Sequence, residues 1–196
     1  MKIYGLTGQT GAGKSTVAAL LSKKGFFVID GDKIARRVTE NGSPALKELA
    51  AFFGGDIIFS DGTLDRKKLA ERAFASKEGT KKLNELTHPH IHALFKEEIE
   101  KAKKSGFLYC LIDAAALLES PSKSLCKKII VVFCPENIRL ERIIKRDNIT
   151  KEEALRRIHA QKSDEYYLSN ADIIIKNYPP YDIEKESEKF LKGESV

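Results

Sequence analysis

The stretch that most limits how this chain can fold is Gly8-Gln9-Thr10-Gly11-Ala12-Gly13-Lys14-Ser15. It satisfies G-x-x-x-x-G-K-[ST] at every fixed position. An apolar run, residues 3–7, precedes it, and a helical pattern, residues 15–24, follows and is closed by Gly25. Glycines at 8, 11 and 13 permit backbone angles that a Cβ would obstruct, so successive N–H groups can turn inward around phosphate oxygens. The start of the helix adds the positive end of its dipole. A P-loop of this kind binds ATP through Gly8, Gly11, Ala12, Gly13, Lys14, Ser15 and Thr16. Lys14 reaches the β- and γ-phosphates, and the Ser15 hydroxyl ligates the magnesium that bridges them. A glycine-rich turn without a ligand is the competing reading, and the strand before and helix after count against it.

Beyond the loop, residues 26–30 form a second apolar run, which completes a βαβ unit, and three more follow at 107–113, 128–134 and 172–176. Continuous rather than alternating apolar character fits parallel strands covered by helices on both faces. The pattern predicts an α/β protein with a five-stranded parallel sheet sandwiched by helices. About 75 residues separate the second and third strands, far more than an ordinary crossover needs. They read as a helical substrate-binding insertion, about 33–105. Its helices are predicted at 44–53, at 65–75 with Asp65 as N-cap, at 77–86, and at 89–104 with Pro89 in the first turn, where its missing N–H costs nothing. A second helical insertion, about 136–165, carries Arg139, Arg142, Lys145, Arg146, Arg156 and Arg157 and reads as a lid. The core is expected over about 1–32, 106–135 and 166–196, with an amphipathic helix at 182–192 closing the chain.

Composition narrows the class. Of 196 residues, 42% are hydrophobic and 32% charged, with no low-complexity tract, as in soluble globular proteins. No apolar run approaches the roughly 18 to 20 residues that span a bilayer. No charged-then-apolar leader opens the chain, so a cytoplasmic protein is expected. Cys110, Cys126 and Cys134 are odd in number and lack C-x-x-C spacing, which suggests buried small hydrophobes rather than a disulfide framework or zinc knuckle. The net charge of +6 favours a polyanionic partner. Basic and acidic residues are interspersed, so a phosphorylated small molecule is expected, with no nucleic acid, no membrane and no obligate protein partner.

Ligands of open parallel sheets sit at the carboxyl ends of the strands. The second strand delivers Asp30-Gly31-Asp32 there and the third delivers Asp113. A hydroxyl attacking a γ-phosphate needs an acceptor for its proton, and Asp32 is the candidate base. Alternatively Asp30 and Asp32 cap the helix that begins near Lys33. Asp113 either holds a magnesium-bound water or ends a turn. Charge on the migrating phosphoryl group calls for an arginine, and Arg142 and Arg146, four apart on one helical face, are the catalytic candidates beside Lys14. His88, His90 and His92 lack a further ligand at HExxH-type spacing, so a metal site is not expected there. With Pro89 opening a helix, His88 stands at its cap as a substrate contact.

The ordered motifs Val28-Ile29-Asp30-Gly31-Asp32 with Arg36, Leu64-Asp65-Arg66 with Leu69 and Phe74, Thr87-His88-Pro89-His90-Ile91, Asp113 to Glu119, Arg157-Ile158-His159-Ala160-Gln161, and Ala171-Asp172 with Asn177 together resemble the dephospho-coenzyme A kinase family. The resemblance covers residues 1 to about 177. It implies a P-loop kinase core of the adenylate-kinase type with a helical substrate domain and a lid. It also implies magnesium-dependent transfer of the ATP γ-phosphate to the ribose 3′-hydroxyl of dephospho-coenzyme A, the last step of coenzyme A synthesis. Asp32 matches the family's proposed base, and Arg142 lies where a lid arginine is expected. Asp32, Arg36, Arg66, His88, Glu119, Arg157 and Gln161 fall on substrate positions, and Asn177 on an ATP position. Two departures stand out: DAAALLE lacks the family's proline, and Tyr166-Tyr167 stand where a basic residue is common.

A nucleoside monophosphate or shikimate kinase would share the core and differ in the substrate insertion, where Arg66 and His88-Pro89 argue against it. A regulatory GTPase needs N-K-x-D and a D-x-x-G after the third strand, but Asp113 is followed by three alanines. A nucleic-acid-binding ATPase would betray itself by a salt-dependent shift on mixing with RNA or DNA.

Overall fold

Strand β1 (Lys2–Thr7) lies at the centre of a parallel sheet, flanked by β3 (Tyr109–Asp113) and β4 (Lys128–Phe133), with β2 (Phe26–Asp30) and β5 (Ile173–Lys176) at the edges in the order β2-β3-β1-β4-β5. This computed structural model describes residues 1–194; residues 195–196, counted in the expected core, lie outside the described residues. The register aligns Leu6 with Asp113 on one side of β1 and with Ile130 on the other. The loops after β1 and β3 therefore emerge side by side at one end of the sheet.

Nine α-helices are found among the described residues: α1 (Lys14–Lys23), α2 (Gly31–Val38), α3 (Pro44–Phe53), α4 (Arg66–Ala73), α5 (Lys77–Lys104), α6 (Glu136–Asp147), α7 (Lys151–His159), α8 (Asp164–Ser169) and α9 (Ile183–Glu194). Contacts divide the chain into two compact units, one of Met1–Ile29 with Ala102–Val196 and one of Asp30–Lys101. The first contains the sheet. Its inner strands are apolar on both faces because helices cover both, and Tyr4, Leu6, Leu111, Ile130 and Val132 are fully or almost fully enclosed with Val17 and Leu21 of α1. Truncating one such side chain, Leu21→Ala for example, costs about 2–5 kcal/mol. The rings of Tyr4, Phe26, Tyr109 and Phe190 pack together and hold α9 on the sheet.

The second unit closes around Leu49, Phe53, Ile57, Leu69 and Ala73. Asp65 caps α4 as expected, its carboxylate accepting from the Lys68 N–H at 3.0 Å. The helix ends at Ala73, two residues before the expected end, because Phe74 is already its C-cap and the Ser76 hydroxyl caps the next helix through the Gly79 N–H at 2.9 Å.

The larger correction concerns α5. The sequence suggests two helices with Pro89 opening the second, yet one helix of 28 residues runs through Pro89. Buried or half-buried positions recur at 79, 83, 86/87, 90/91, 94/95, 98/99 and 102, an uninterrupted helical stripe. Pro89 itself is exposed, so the lost N–H bond is suffered on the solvent side. His88 is accordingly an interior residue of α5, not a cap.

Candidate active site

The P-loop joins β1 to α1 in the first unit. Gly11 and Gly13 have φ of 78° and 97°, the left-handed region that favours glycine. Neither tolerates a side chain, since a Cβ on Gly11 would stand 2.9 Å from the Arg139 carbonyl oxygen and one on Gly13 would strike the Asn177 amide. Gly13 is also the N-cap of α1, leaving Ser15 and Thr16 exposed in the helix's first turn. Lys14 Nζ forms a close ion pair with the Asp113 carboxylate, both groups being largely buried. Asp113 thus faces the P-loop at the end of the strand beside β1. The same strand ends are joined by the Thr7 hydroxyl, which donates to the Ala115 carbonyl at 3.0 Å.

Three side chains and one backbone carbonyl from the far half of the chain reach the loop. The Asn177 side-chain amide donates to the Ala12 carbonyl at 2.7 Å. Gln161 Oε1 accepts from the Thr10 N–H at 2.8 Å, and Gln9 donates to the Lys162 carbonyl at 3.0 Å. Arg142, half-buried on α6, donates through Nη2 to the Asn177 carbonyl at 3.0 Å and makes a long 3.4 Å contact with the Gly11 carbonyl through Nη1. The Cys134 sulfur lies 3.4 Å from the same nitrogen, and burial pushes that thiol's pKa up.

Arg146 shares α6 with Arg142 but does not meet the P-loop. Its guanidinium makes two bonds to Asp147, at 2.7 and 2.9 Å, and Arg157 of α7 joins the same carboxylate at 2.6 Å. The hydrogen bonds from Arg146, and the positive charge of Arg146 and Arg157, hold Asp147 below the usual carboxylate range. Helices α6 and α7 pack on each other through Ile143, Ala154 and Ile158.

Arg139, one of the basic residues counted toward the lid, is instead 1% exposed. It donates to the Cys134 carbonyl at 2.9 Å and to Asp164 of α8 at 2.9 Å. Helix α8, capped by the Ser163 hydroxyl at the Tyr166 N–H, is absent from the sequence reading because six residues give too short a pattern to detect. Beside it a cavity of about 200 Å³ is bordered by Ala115, Ala116, Glu119, Gln161 and Tyr167. Burial raises the Tyr167 pKa, while Tyr166 lies under the Lys162 ammonium.

In the second unit, Asp30 is the N-cap of α2, its carboxylate accepting from the Lys33 N–H at 3.0 Å. Asp32 is exposed in the first turn, with exposed Arg36 one turn further on the same face. Arg66 is exposed at the first position of α4, and His88 is half-buried, its pKa lowered by that burial. Among the described residues no group of three or more His, Cys, Asp or Glu is placed to hold a metal ion, and no helix is long and apolar enough to cross a membrane.

Sequence reasoning overlooked Asp147 and Asp164. A signal for Asp147 existed: a carboxylate in the last turn of a helix opposes the macrodipole and needs another reason to be there. Asp164 has no such signal, because its partner lies 25 residues away.

Residues 2–180 match the family model described as CoaE, dephospho-CoA kinase. The curated dephospho-CoA kinase of Listeria monocytogenes serotype 4b (strain F2365) is 42% identical over 176 residues, 90% of this chain and 88% of the relative. That of Corynebacterium glutamicum is 41% identical over 173 residues, 88% and 86% of the two chains. Among solved structures, the dephospho-CoA kinase from Campylobacter jejuni superposes with a TM-score of 0.72 at 31% identity, over 100% of this chain and 98% of that one. Shikimate kinase from Acinetobacter baumannii, in complex with shikimate, gives a TM-score of 0.53 at 16% identity over 100% and 93%, a likeness of fold alone.

Proposed function

Since the chain belongs to the dephospho-CoA kinase family, we propose that it transfers the γ-phosphoryl group of ATP to the ribose 3′-hydroxyl of dephospho-coenzyme A, in the cytoplasm, giving coenzyme A and ADP. The observation that carries this is a family match over residues 2–180 that encloses a complete P-loop with its lysine turned to a strand-end carboxylate. The shikimate-kinase alternative has only the fold in its favour.

In this reading the N–H groups of Gly11, Gly13, Lys14 and Ser15 and the Lys14 ammonium hold the ATP phosphates, while those of Ala12 and Thr16 close turns within the loop. Ser15 and Asp113 supply oxygen donors of the hard kind that magnesium prefers, and one or two protein ligands beside the phosphates suffice for that ion. When bound, magnesium neutralises charge on the β- and γ-phosphates. Asp32 accepts the proton as the 3′-oxygen bonds to the γ-phosphorus and the bond to the β,γ-bridging oxygen breaks, releasing ADP. Its exposure in the first turn of α2, with Asp30 already serving as the cap, supports that role. The exposed arginines of α6 and α7 supply charge to the migrating group, and Arg36, Arg66, His88, Glu119 and Gln161 contribute acceptor contacts.

The test is ADP formation from ATP with dephospho-coenzyme A, adenosine, AMP and shikimate in turn, with magnesium and with EDTA. Magnesium-dependent turnover should be highest by kcat/KM with dephospho-coenzyme A. A higher value for another acceptor would overturn the proposal.

A further inference from the structure

Asp147 holds two arginines at once. It ends α6, where Asn148 follows in the left-handed conformation at φ 51°, and its side chain is 21% exposed although Arg146 and Arg157 are 60% and 52% exposed. The arrangement is not the default outcome of helical geometry. Adjacent residues on a helix point about 100° apart and do not face each other, yet Arg146 and Asp147 make a two-point guanidinium–carboxylate pair. A carboxylate is also disfavoured at a helix C-terminus. Both anomalies have one physical resolution, the two guanidiniums gathered on that carboxylate.

The cluster lies one turn of α6 beyond a residue that contacts the nucleotide loop. Arg142, one turn earlier on α6, touches the P-loop carbonyl of Gly11, and Arg146 follows it by about 6 Å along the axis. Two arginines against one aspartate leave a net positive charge, and several guanidinium N–H groups remain beyond the three bonds made to Asp147.

We propose that Asp147 is a positioning residue of the phosphoryl-transfer site, tying Arg146 of α6 to Arg157 of α7 so that the two guanidiniums meet the ATP phosphates as one unit. This deepens the proposed kinase reading and rests on its assignment of charge stabilisation to these helices. One carboxylate spanning two helices fixes both side chains, which otherwise would lose rotamer freedom only when the phosphates arrive. The surface pairs on their own add little stability, so the effect falls on turnover and not on folding.

The experiment compares Asp147→Ala, Asp147→Glu, Arg146→Ala, Arg157→Ala, the double arginine change and the triple change, by kcat and KM for ATP and by thermal melting. Asp147→Ala is expected to lower kcat about tenfold, within the coupling range of a charge network, with an unchanged melting temperature. Asp147→Glu should restore most of the loss. In the Arg146→Ala/Arg157→Ala background, removing Asp147 should cost nothing further. A merely structural aspartate would still cost activity in that background, and that outcome overturns the proposal. Asp147→Ala with near-normal kcat beside impaired arginine variants overturns it too, leaving the kinase reading intact. Near-normal kcat in both arginine variants overturns it together with the role assigned to α6 and α7.

Discussion

The side-chain amide of Asn177 donates to the carbonyl of Ala12 at 2.7 Å across 165 residues of chain. Its own N–H is fixed by the Phe133 carbonyl at 2.9 Å, and its carbonyl accepts from Arg142 at 3.0 Å. A P-loop binds phosphate with its N–H groups, so its carbonyls must point away and find partners elsewhere. Asn177 satisfies one of them, and Arg142 lies against another at Gly11. Arg142 thus meets two carbonyls on this side of the loop, those of Gly11 and Asn177.

Removing the Asn177 amide should loosen the cradle without touching the reacting atoms. One net hydrogen bond is worth about 1 kcal/mol, roughly a fivefold change in affinity. Asn177→Ala is expected to raise KM for ATP by about that factor with kcat little changed, the pattern of a lost uniform binding contribution. Titration with a fluorescent ATP analogue gives the same answer independently of turnover. A fall in kcat at constant KM would place Asn177 in the chemistry instead.

Asp32 and Asp30 separate catalysis from capping. Asp30 accepts the Lys33 N–H, so the cap does not depend on Asp32. Asp32→Asn keeps the size and removes the ability to take a proton, so kcat should fall by roughly 10² to 10⁴. Stability should stay within about 1 kcal/mol of wild type. Asp30→Asn, a comparable cap, should lose much less activity. Near-normal turnover of Asp32→Asn would send the search for the base to Asp113.

What the sequence made legible was local. The P-loop and its flanking strand and helix occupy consecutive residues, and the sheet strands are continuous apolar runs because both faces are covered. Pro89 misled because proline ordinarily opens or ends a helix, whereas the apolar positions on either side keep one helical phase through it. The braces were marked only by the family resemblance, which puts Asn177 on an ATP position and Gln161 on a substrate position. Gln161 and Asn177 reach the P-loop over 151 and 165 residues, and nothing in their neighbours' spacing marks such a contact.

His88 carries a pH prediction. Burial lowers its pKa below the ordinary value near 6.5. Below that value the unfolded chain binds the proton before the folded one does, so stability rises with pH there. The contribution is complete above about pH 6.5 and is lost as pH falls through the lowered value. His88→Gln removes this component, so its melting temperature should drop less than the wild type's between about pH 7.5 and 5. Equal drops would mean that His88 ionises in the folded protein as freely as in the unfolded chain.

The last prediction concerns Arg139, buried to 1% exposure with Nε on the Cys134 carbonyl and Nη2 on Asp164. Its Nη1 has no hydrogen-bond partner among the described residues. Taking away one member of a fully buried pair costs about 3–5 kcal/mol, because the other charge is stranded. Asp164 is 40% exposed, so water offsets part of that loss and about 1–3 kcal/mol is expected for Asp164→Ala. Arg139→Met removes the buried charge itself, keeps an unbranched side chain against the α6 and α8 surfaces, and leaves Asp164 free to be hydrated. Its cost should therefore be smaller, because replacing a buried ion by an apolar group of similar length is often nearly neutral. The double variant should be no less stable than Arg139→Met alone. Urea denaturation of the three proteins measures the order directly. If Arg139→Met proves the more damaging single change, the guanidinium contributes more through its bond to the Cys134 carbonyl than it costs in desolvation.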